Sequence, residues 1–123
     1  MKRWLLGAAL VAATFVVSGC TVEEIVFFDS VTAPTRDALD NDQLYRLRMC
    51  ESTDNYQALS PTGLYRGGYQ FDFRTWNDVA SRHFLWLVGV DPLTAAPYWQ
   101  DAMARALFSE RGRQPWPVCG RQI

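Results

Sequence analysis

Apolar residues recur at helical spacing in three stretches within residues 41–123. Each stretch begins with a recognisable N-terminal signal: Asp40 or Asp42 as the first N-cap, Asp72 as the second, and Pro97 in the first turn of the third. Gly112 is the predicted end of the third helix. The predicted inward-facing residues are Leu44 and Leu47 in the first helix, Phe73, Trp76, Ala80 and His83 or Phe84 in the second, and Trp99, Met103, Ala106 and Leu107 in the third.

Between the first two helices the pattern becomes extended. Residues 60–63 (Ser-Pro-Thr-Gly) predict a type I turn, and residues 65–71 predict a strand of a small hairpin. The Gly67–Gly68 pair within that strand allows a bulge or the close approach of a ligand to the backbone. Residues 84–89 are apolar all round, which indicates a buried turn or helix end. The predicted fold class is α+β and mostly α, with one short hairpin.

The N-terminal residues follow the pattern of a bacterial export signal. Lys2 and Arg3 precede an uncharged, mostly apolar run of 14 residues, 4–17; a signal core has roughly 7–15 residues, whereas a membrane-spanning helix needs about 20. Residues 17–20 (Val-Ser-Gly-Cys) resemble the lipobox of bacterial lipoproteins, which implies removal of residues 1–19 and lipidation of Cys20. The alternative is an ordinary secreted protein in which Cys20 merely lies near the cleavage site.

Charge is distributed unevenly along the chain. The formal net charge of −1 argues against a nucleic-acid-binding protein. Residues 21–40 carry five acids against Arg36 alone, so residues 20–40 are predicted to be a lipidated cysteine and an acidic tether to a domain of residues 41–123. Residues 25–28 (Ile-Val-Phe-Phe) are too apolar for a pure linker, and either pack on the domain or lie near the membrane surface.

With Cys20 assigned to lipid, Cys50 and Cys119 remain as a pair. In an exported chain an even pair predicts a disulfide, and a domain of this size gains from such a crosslink. Two unrelated buried thiols are the alternative. One histidine and three cysteines leave little room for a metal site, and neither a metal nor a cofactor is expected.

Four short motifs follow one another in this region. They are residues 50–52 (Cys-Glu-Ser, with Asn55 after it), 67–71 (Gly-Gly-Tyr-Gln-Phe), 75–76 (Thr-Trp) and 116–119 (Trp-Pro-Val-Cys). Each motif alone is weak, but the ordered set resembles the transglycosylase-like domain of the resuscitation-promoting factors of actinobacteria over roughly residues 42–120. The resemblance implies a small lysozyme-like fold that acts on peptidoglycan.

Glu51 matches the catalytic glutamate of that family. Its predicted place at a helix end, beside a disulfide and near aromatic residues, would raise the pKa of its carboxyl by desolvation. It would then donate a proton to a glycosidic oxygen. Taken without the resemblance, Glu51 is one of 13 acids and would ordinarily be a solvated charge at a helix end.

The substrate-binding candidates are Gln70, Tyr65, Asn55, Tyr56 and Asp54. The amide of Gln70 suits an N-acetyl or hydroxyl group of a sugar, or else bonds the backbone. Tyr65 and Tyr56 stack on sugar faces or are half-buried packing residues. Residues 53–54 (Thr-Asp) replace the Gly-Gly of the family, and Tyr56 replaces a tryptophan. Asp54 positions water, raises the pKa of Glu51, or ends the helix with a solvated charge.

The expected function is cleavage of the MurNAc–GlcNAc β-1,4 bond with a single glutamate as general acid and base, as in lytic transglycosylases or muramidases. Peptidoglycan strands and, through the lipid, the outer face of the cytoplasmic membrane are the expected partners, together with a possible partner cell-wall hydrolase. The alternatives are a non-catalytic peptidoglycan-binding lipoprotein and a structural or signalling lipoprotein that binds a protein through residues 84–90.

Overall fold

The computed structural model describes residues 19–123, so the predicted signal at residues 1–19 lies outside the described residues except for Gly19. Four α-helices make up most of the fold: α1 (Val22–Thr32), α2 (Asn41–Ser52), α3 (Phe73–His83) and α4 (Pro97–Arg111). Two short 3₁₀ turns, Leu85–Leu87 and Cys119–Gln122, follow α3 and α4. Within residues 19–123 there is no helix with the length and apolar character needed to cross a membrane.

The predicted helix boundaries in residues 41–123 are confirmed by their caps. Asp40 caps α2 by accepting a hydrogen bond from the backbone N–H of Gln43, and Asp72 caps α3 in the same way from Thr75. Pro97 occupies the first turn of α4, whose helical dihedrals end at Gly112 with φ 61°. These local signals determine where the chain turns, and therefore which residues meet at the centre.

The core lies between α2, α3 and α4. Its largest fully buried side chains include Trp76, Tyr69 and Phe84, and each large apolar side chain contributes about 1.5–3 kcal/mol through burial. Apart from Trp99, which is half-buried against the core, the predicted inward positions of the three helices are buried, with two exceptions. Phe73 is 45% exposed and lies under the guanidinium of Arg66 at 5.2 Å, because it is the first residue of α3 and points away from the core.

The second exception is His83, which is half-buried rather than packed in the core. Its Nε2 lies 3.0 Å from a carboxylate oxygen of Glu110. That carboxylate also accepts from Arg82, which in turn contacts Asp78. The histidine is therefore part of a surface charge cluster at the α3–α4 contact.

The predicted hairpin is present in a minimal form, as isolated antiparallel bridges between Leu59 and Arg66 and between Arg66 and Phe71. Gly67 has φ 83°, and a Cβ atom there would stand 2.6 Å from Oε1 of Gln100. Gly68 packs closely against Tyr56. The glycine pair therefore permits close approach of the protein's own side chains, and the approach of a ligand to this backbone stays a prediction.

The segment predicted as a tether contains α1. Its N-terminus is a complete capping box, in which Thr21 and Glu24 bond each other's backbone N–H groups. Phe28 packs edge-on against Tyr98 and Trp99, at 5.4 and 5.0 Å between ring centroids. Of the two placements open to residues 25–28, packing on the domain is the one seen for Phe28.

Residues 84–89 differ from the buried turn that their composition predicts. Phe84 and Leu87 are buried, whereas Leu85 is 71% exposed, and Trp86 and Val88 are also exposed. A 3₁₀ turn has three residues per turn, so residues three apart, such as Phe84 and Leu87, face the core together while the residues between them face solvent. The physical reason for the error is that composition without a period cannot assign a face.

The predicted disulfide is confirmed. Cys50 and Cys119 are joined with 5.6 Å between their Cα atoms, and the bond links residues 69 apart in the chain. It connects the last turn of α2 to the final 3₁₀ turn. Four helices, little strand and one disulfide constitute the small lysozyme-like architecture that the resemblance implies.

Candidate active site

Glu51 lies in the last turn of α2 and lines a cleft of about 320 Å³. The two antiparallel bridges close a loop of residues 59–71, which we call the bridged loop. Its residues Tyr65 and Gln70 form one wall of this cleft. Residues 115–119 form the other wall, which the disulfide fastens to α2 through Cys50. Three of the residues predicted for the site are therefore brought together, although they are separated by up to 19 positions in the sequence.

The cleft continues into a neighbouring cavity of about 410 Å³, because both are lined by Tyr65, Gln70 and Trp116. The second cavity extends to Asp72 and Thr75 at the start of α3 and to the end of α4 at Arg111. We call the two cavities together the Glu51 groove. An open groove with an acid at one end suits an extended chain molecule better than a small enclosed ligand.

Burial raises the pKa of the Glu51 carboxyl above its usual value. Desolvation disfavours the ionised form, and the pKa shift has no other resolved cause. Among the described residues, Glu51 is the only Asp or Glu that lines its cleft. The groove thus holds an acid that retains its proton at a higher pH than an exposed glutamate does.

Gln70 has a left-handed backbone, with φ 55°. Its side-chain Nε2 donates to the carbonyl of Gly67 at 2.9 Å, so this side chain bonds the backbone, as one of the two alternatives predicted. The amide oxygen stays free to accept a hydrogen bond. Tyr65 is 48% exposed and lines the groove, so its ring is accessible to a sugar. The left-handed backbone of Gln70 costs about 1–3 kcal/mol in a non-glycine residue, and residues strained in this way concentrate at binding sites.

Asp54 is bound by Arg48, whose Nε donates to it at 2.8 Å. Thr53 and Asp54 have φ of 57° and 59°, which ends α2 and turns the chain. Asp54 does not line the cleft of Glu51. The ion pair identifies Asp54 as the charge partner of Arg48. A direct effect of Asp54 on Glu51 stays a prediction, because no contact between the two residues supports it.

Arg48 belongs to a network behind the site. It donates to the hydroxyl of Tyr69 at 2.8 Å, and Tyr69 and Tyr56 both donate to Oδ1 of Asp101. Burial and the neighbouring Asp101 raise the pKa of both tyrosines. The network connects α2, the bridged loop and α4, and thereby fixes the helix that carries Glu51.

Asn55 and Tyr56 line a different cavity, of about 660 Å³, with residues 93–97 and Gln100. The side chain of Asn55 accepts from the backbone N–H of Gln57 at 2.9 Å, which forms a local turn. The structure does not bring these two residues to the Glu51 groove. Their predicted contact with substrate stays a prediction.

Sequence reasoning missed part of the groove. Trp116 is buried, yet it lines both cavities of the groove. Arg111 and Gln114 were not singled out, although both lie on the exposed side of the α4 terminus. The available signal was the polar run between Gly112 and Pro115. Within residues 19–123, no cluster of His, Cys, Asp or Glu is arranged to hold a metal ion.

The chain is similar to a described protein family and to several named relatives. The family described as transglycosylase-like domain matches residues 38–119. A probable transglycosylase SceD of Staphylococcus aureus (strain bovine RF122 / ET3-1) is 37% identical over 76 residues, and the protein of the same name from strain Newman is 36% identical over the same length. The matched region covers 62% of this chain and 32% of either relative, so the chain spans about a third of their length.

No solved structure matches the chain significantly. The family match covers more than half of the chain and includes Glu51, Gln70 and the residues of both groove walls. The chain therefore belongs to the transglycosylase-like domain family.

Proposed function

We propose that this protein cleaves peptidoglycan glycan strands at the MurNAc–GlcNAc β-1,4 bond, with Glu51 as general acid and base. The observation that carries the proposal is the desolvated carboxyl of Glu51 in an open groove. Membership of the transglycosylase-like family and the name of the SceD relatives support the reaction class. A carboxyl whose pKa is raised by burial holds its proton to a higher pH, as a general acid requires.

In the first step, Glu51 transfers its proton to the bridging glycosidic oxygen as the bond from that oxygen to C1 of MurNAc breaks. The leaving GlcNAc keeps this proton on its 4-hydroxyl. The carbonyl oxygen of the substrate's own N-acetyl group stabilises the positive charge that develops at C1. This route needs a single protein carboxylate, in contrast to the usual pair of glycosidases, which suits a cleft where Glu51 is the only described acid.

In the second step, the Glu51 carboxylate accepts a proton from the attacking hydroxyl. Attack by the 6-hydroxyl of MurNAc yields a 1,6-anhydro product, and attack by water yields a reducing end. We place a sugar ring on Tyr65, whose side chain is 48% exposed, and assign the free amide oxygen of Gln70 to a hydroxyl or N-acetyl N–H group. The groove toward Arg111 then receives the continuing strand.

The proposal includes export and lipidation of Cys20 at the outer face of the cytoplasmic membrane. Cys20 is exposed and is not part of the disulfide, so its thiol is accessible for a thioether bond to a diacylglyceryl group. Two or more acyl chains give stable anchoring. Metabolic labelling with an alkyne fatty acid tests this part independently of activity: wild type should be labelled, and Cys20→Ala should not.

The test of the reaction is a digest of purified peptidoglycan with residues 20–123. Wild type is compared with Glu51→Gln and with Glu23→Gln, a matched change at an exposed glutamate of α1, and soluble fragments are identified by mass spectrometry. Fragments from wild type and Glu23→Gln alone support the proposal. Fragments from Glu51→Gln would refute the role of Glu51. Binding to sacculi without release by any variant would favour the non-catalytic peptidoglycan-binding alternative.

A further inference from the structure

Three neighbouring parts of the fold expose apolar side chains, and we call this set the aromatic face. α1 supplies Val22, Ile25, Val26 and Phe27, the 3₁₀ turn after α3 supplies Leu85, Trp86 and Val88, and the start of α4 supplies Tyr98. All eight side chains are between 44% and 73% exposed. Phe27 and Trp86 join α1 to the turn, with 5.0 Å between their ring centroids.

Trp86, a member of this set, packs against half-buried and buried aromatic rings of the domain. Trp86 packs on Trp99 at 5.3 Å, and Trp99 packs on both Phe28 and Phe84. A stable apolar surface built from separate elements needs a partner, because soluble proteins rarely expose large contiguous apolar patches.

The chain itself indicates what covers the aromatic face. Gly19 and Cys20 line an apolar cavity of about 590 Å³ together with Ile25, Phe28 and Trp99, so the chain enters the fold beside this face. The residues before Cys20 include the uncharged run 4–17. A run of this length directs export, and the lipid proposed on Cys20 then brings a bilayer to the first turn of α1.

We propose that the aromatic face rests in the interfacial layer of the membrane to which the chain is anchored. Trp and Tyr are the residues that prefer the headgroup level of a bilayer, and Leu, Ile and Phe enter the adjoining acyl region. This inference rests on the anchoring proposed above and is independent of the chemistry of Glu51. A bilayer is favoured over a protein partner because it is the surface that the anchor itself supplies.

The charges near the face determine the kind of membrane binding. Glu23 and Glu24 lie in the first turn of α1, and Asp29 contacts Arg36 at 3.2 Å. Acids at the rim oppose binding to an anionic surface, so attraction comes from apolar burial rather than from charge. We therefore expect docking on zwitterionic lipid, with little weakening by salt.

Docking of this face leaves the Glu51 groove open. α4 runs from Tyr98 at the aromatic face to Arg111 at the groove, and 13 residues of helix span about 20 Å. The two surfaces therefore lie at opposite ends of α4. A strand can occupy the groove while the other end of the helix contacts lipid.

The test uses residues 20–123, which include every described helix, the core and the disulfide. Cys20 is coupled to a maleimide lipid in phosphatidylcholine vesicles, so the anchor is supplied chemically and the result does not depend on lipidation in the cell. Brominated lipids then report contact through quenching of tryptophan fluorescence. Leu85→Ser tests the face, and Leu64→Ser is the matched control, because Leu64 is 61% exposed on the bridged loop.

We expect shallow bromines to quench the wild type and Leu64→Ser, and Trp86→Phe to lose most of the quenching. Without the coupled anchor, Leu85→Ser should weaken vesicle binding about tenfold relative to Leu64→Ser, since much of a leucine's transfer energy is lost. Absence of quenching in the anchored wild type would overturn the proposal. Equal losses in both leucine variants would overturn it as well, as would a dimer in solution that Leu85→Ser dissociates.

Discussion

The indole Nε1 of Trp116 donates a hydrogen bond to the backbone carbonyl of Tyr69 at 3.0 Å, and both residues are almost fully buried. The bond joins the closing segment of the chain to the loop residue that precedes Gln70. Because Trp116 and Gln70 both line the Glu51 groove, this contact holds two segments of its lining together.

Trp116→Phe keeps an aromatic ring but removes the donor. The buried Tyr69 carbonyl then loses its partner, and we expect the free energy of unfolding to fall by about 1–3 kcal/mol. Urea denaturation measures the change. Trp86→Phe, at an exposed tryptophan, should change stability far less, and equal effects of the two variants would contradict the role of the bond.

Glu51→Gln should abolish glycan cleavage and raise thermal stability at neutral pH. Burial raises the pKa of Glu51 in the folded state, so folded protein holds this proton to a higher pH than unfolded protein does. The free energy of unfolding of wild type therefore falls as pH rises through the window between the two pKa values, and stays lower above it. Glutamine carries no charge to desolvate.

The measurement is a pair of melting curves at pH 3 and pH 7.5. The variant should melt a few degrees above wild type at pH 7.5, since 1 kcal/mol corresponds to roughly 4–8 °C in a domain of this size, and the gain should shrink at pH 3. Glu23→Gln should show no such pH-dependent gain. A variant less stable than wild type at pH 7.5 would show that the carboxylate is favourably bound instead of desolvated.

Cys119→Ser should lower stability in oxidising buffer. The bond closes a sequence separation of 69 residues, which corresponds to about 4 kcal/mol in the chain-entropy treatment, with real bridges often giving less. Differential scanning calorimetry with and without reductant measures the effect. Cys20→Ser, at the exposed free cysteine, should melt like wild type, and a reductant-insensitive wild type would contradict the prediction.

Asp101→Asn should destabilise the protein by about 1–3 kcal/mol, because Asp101 accepts from two tyrosine hydroxyls and faces Arg48. Asparagine keeps one oxygen for the two hydroxyls but removes the negative charge, which strengthens both hydrogen bonds and attracts Arg48. Chemical denaturation is the readout. Asp37→Asn, on the exposed surface, is the matched change and should be nearly neutral.

Gln70→Gly and Gln70→Ala distinguish the cost of the left-handed backbone at this position from the contribution of the side-chain amide. Glycine accepts the φ of 55° without strain, whereas alanine does not, so the glycine variant should be more stable than the alanine variant by about 1 kcal/mol. Both lose the amide, and both should cleave glycan about tenfold more slowly, the cost of one hydrogen bond. Full activity in either variant would exclude the amide from substrate binding.

The helices and their caps could be predicted because their signals are local. Asp40, Asp72, Pro97 and Gly112 each act on residues within one turn, and the structure places them as expected. The meeting of Glu51 with the bridged loop could be anticipated only through family resemblance. Neither periodicity nor composition specifies which loop faces the end of α2.

The failures also have physical reasons. α1 was missed because its apolar residues follow no helical stripe, and its capping box at Thr21 and Glu24 was not recognised. Asn55 and Tyr56 are close to Glu51 in sequence, but the left-handed turn at residues 53–54 carries them to another cavity. Two consecutive residues with positive φ change the direction of the chain strongly, but the residue types Thr and Asp do not reveal that conformation in the sequence.

The Cys50–Cys119 bond also imposes an order of events on the chain. Thiols stay reduced in an ordinary cytoplasm, so α2 and the segment of Trp116 are not crosslinked while the chain is being made. The crosslink that fastens residues 115–119 to α2 therefore forms only after oxidation. Under the proposed function, maturation of the enzyme is thereby delayed until the chain has left the compartment of its synthesis and reached the side of the membrane where the wall lies.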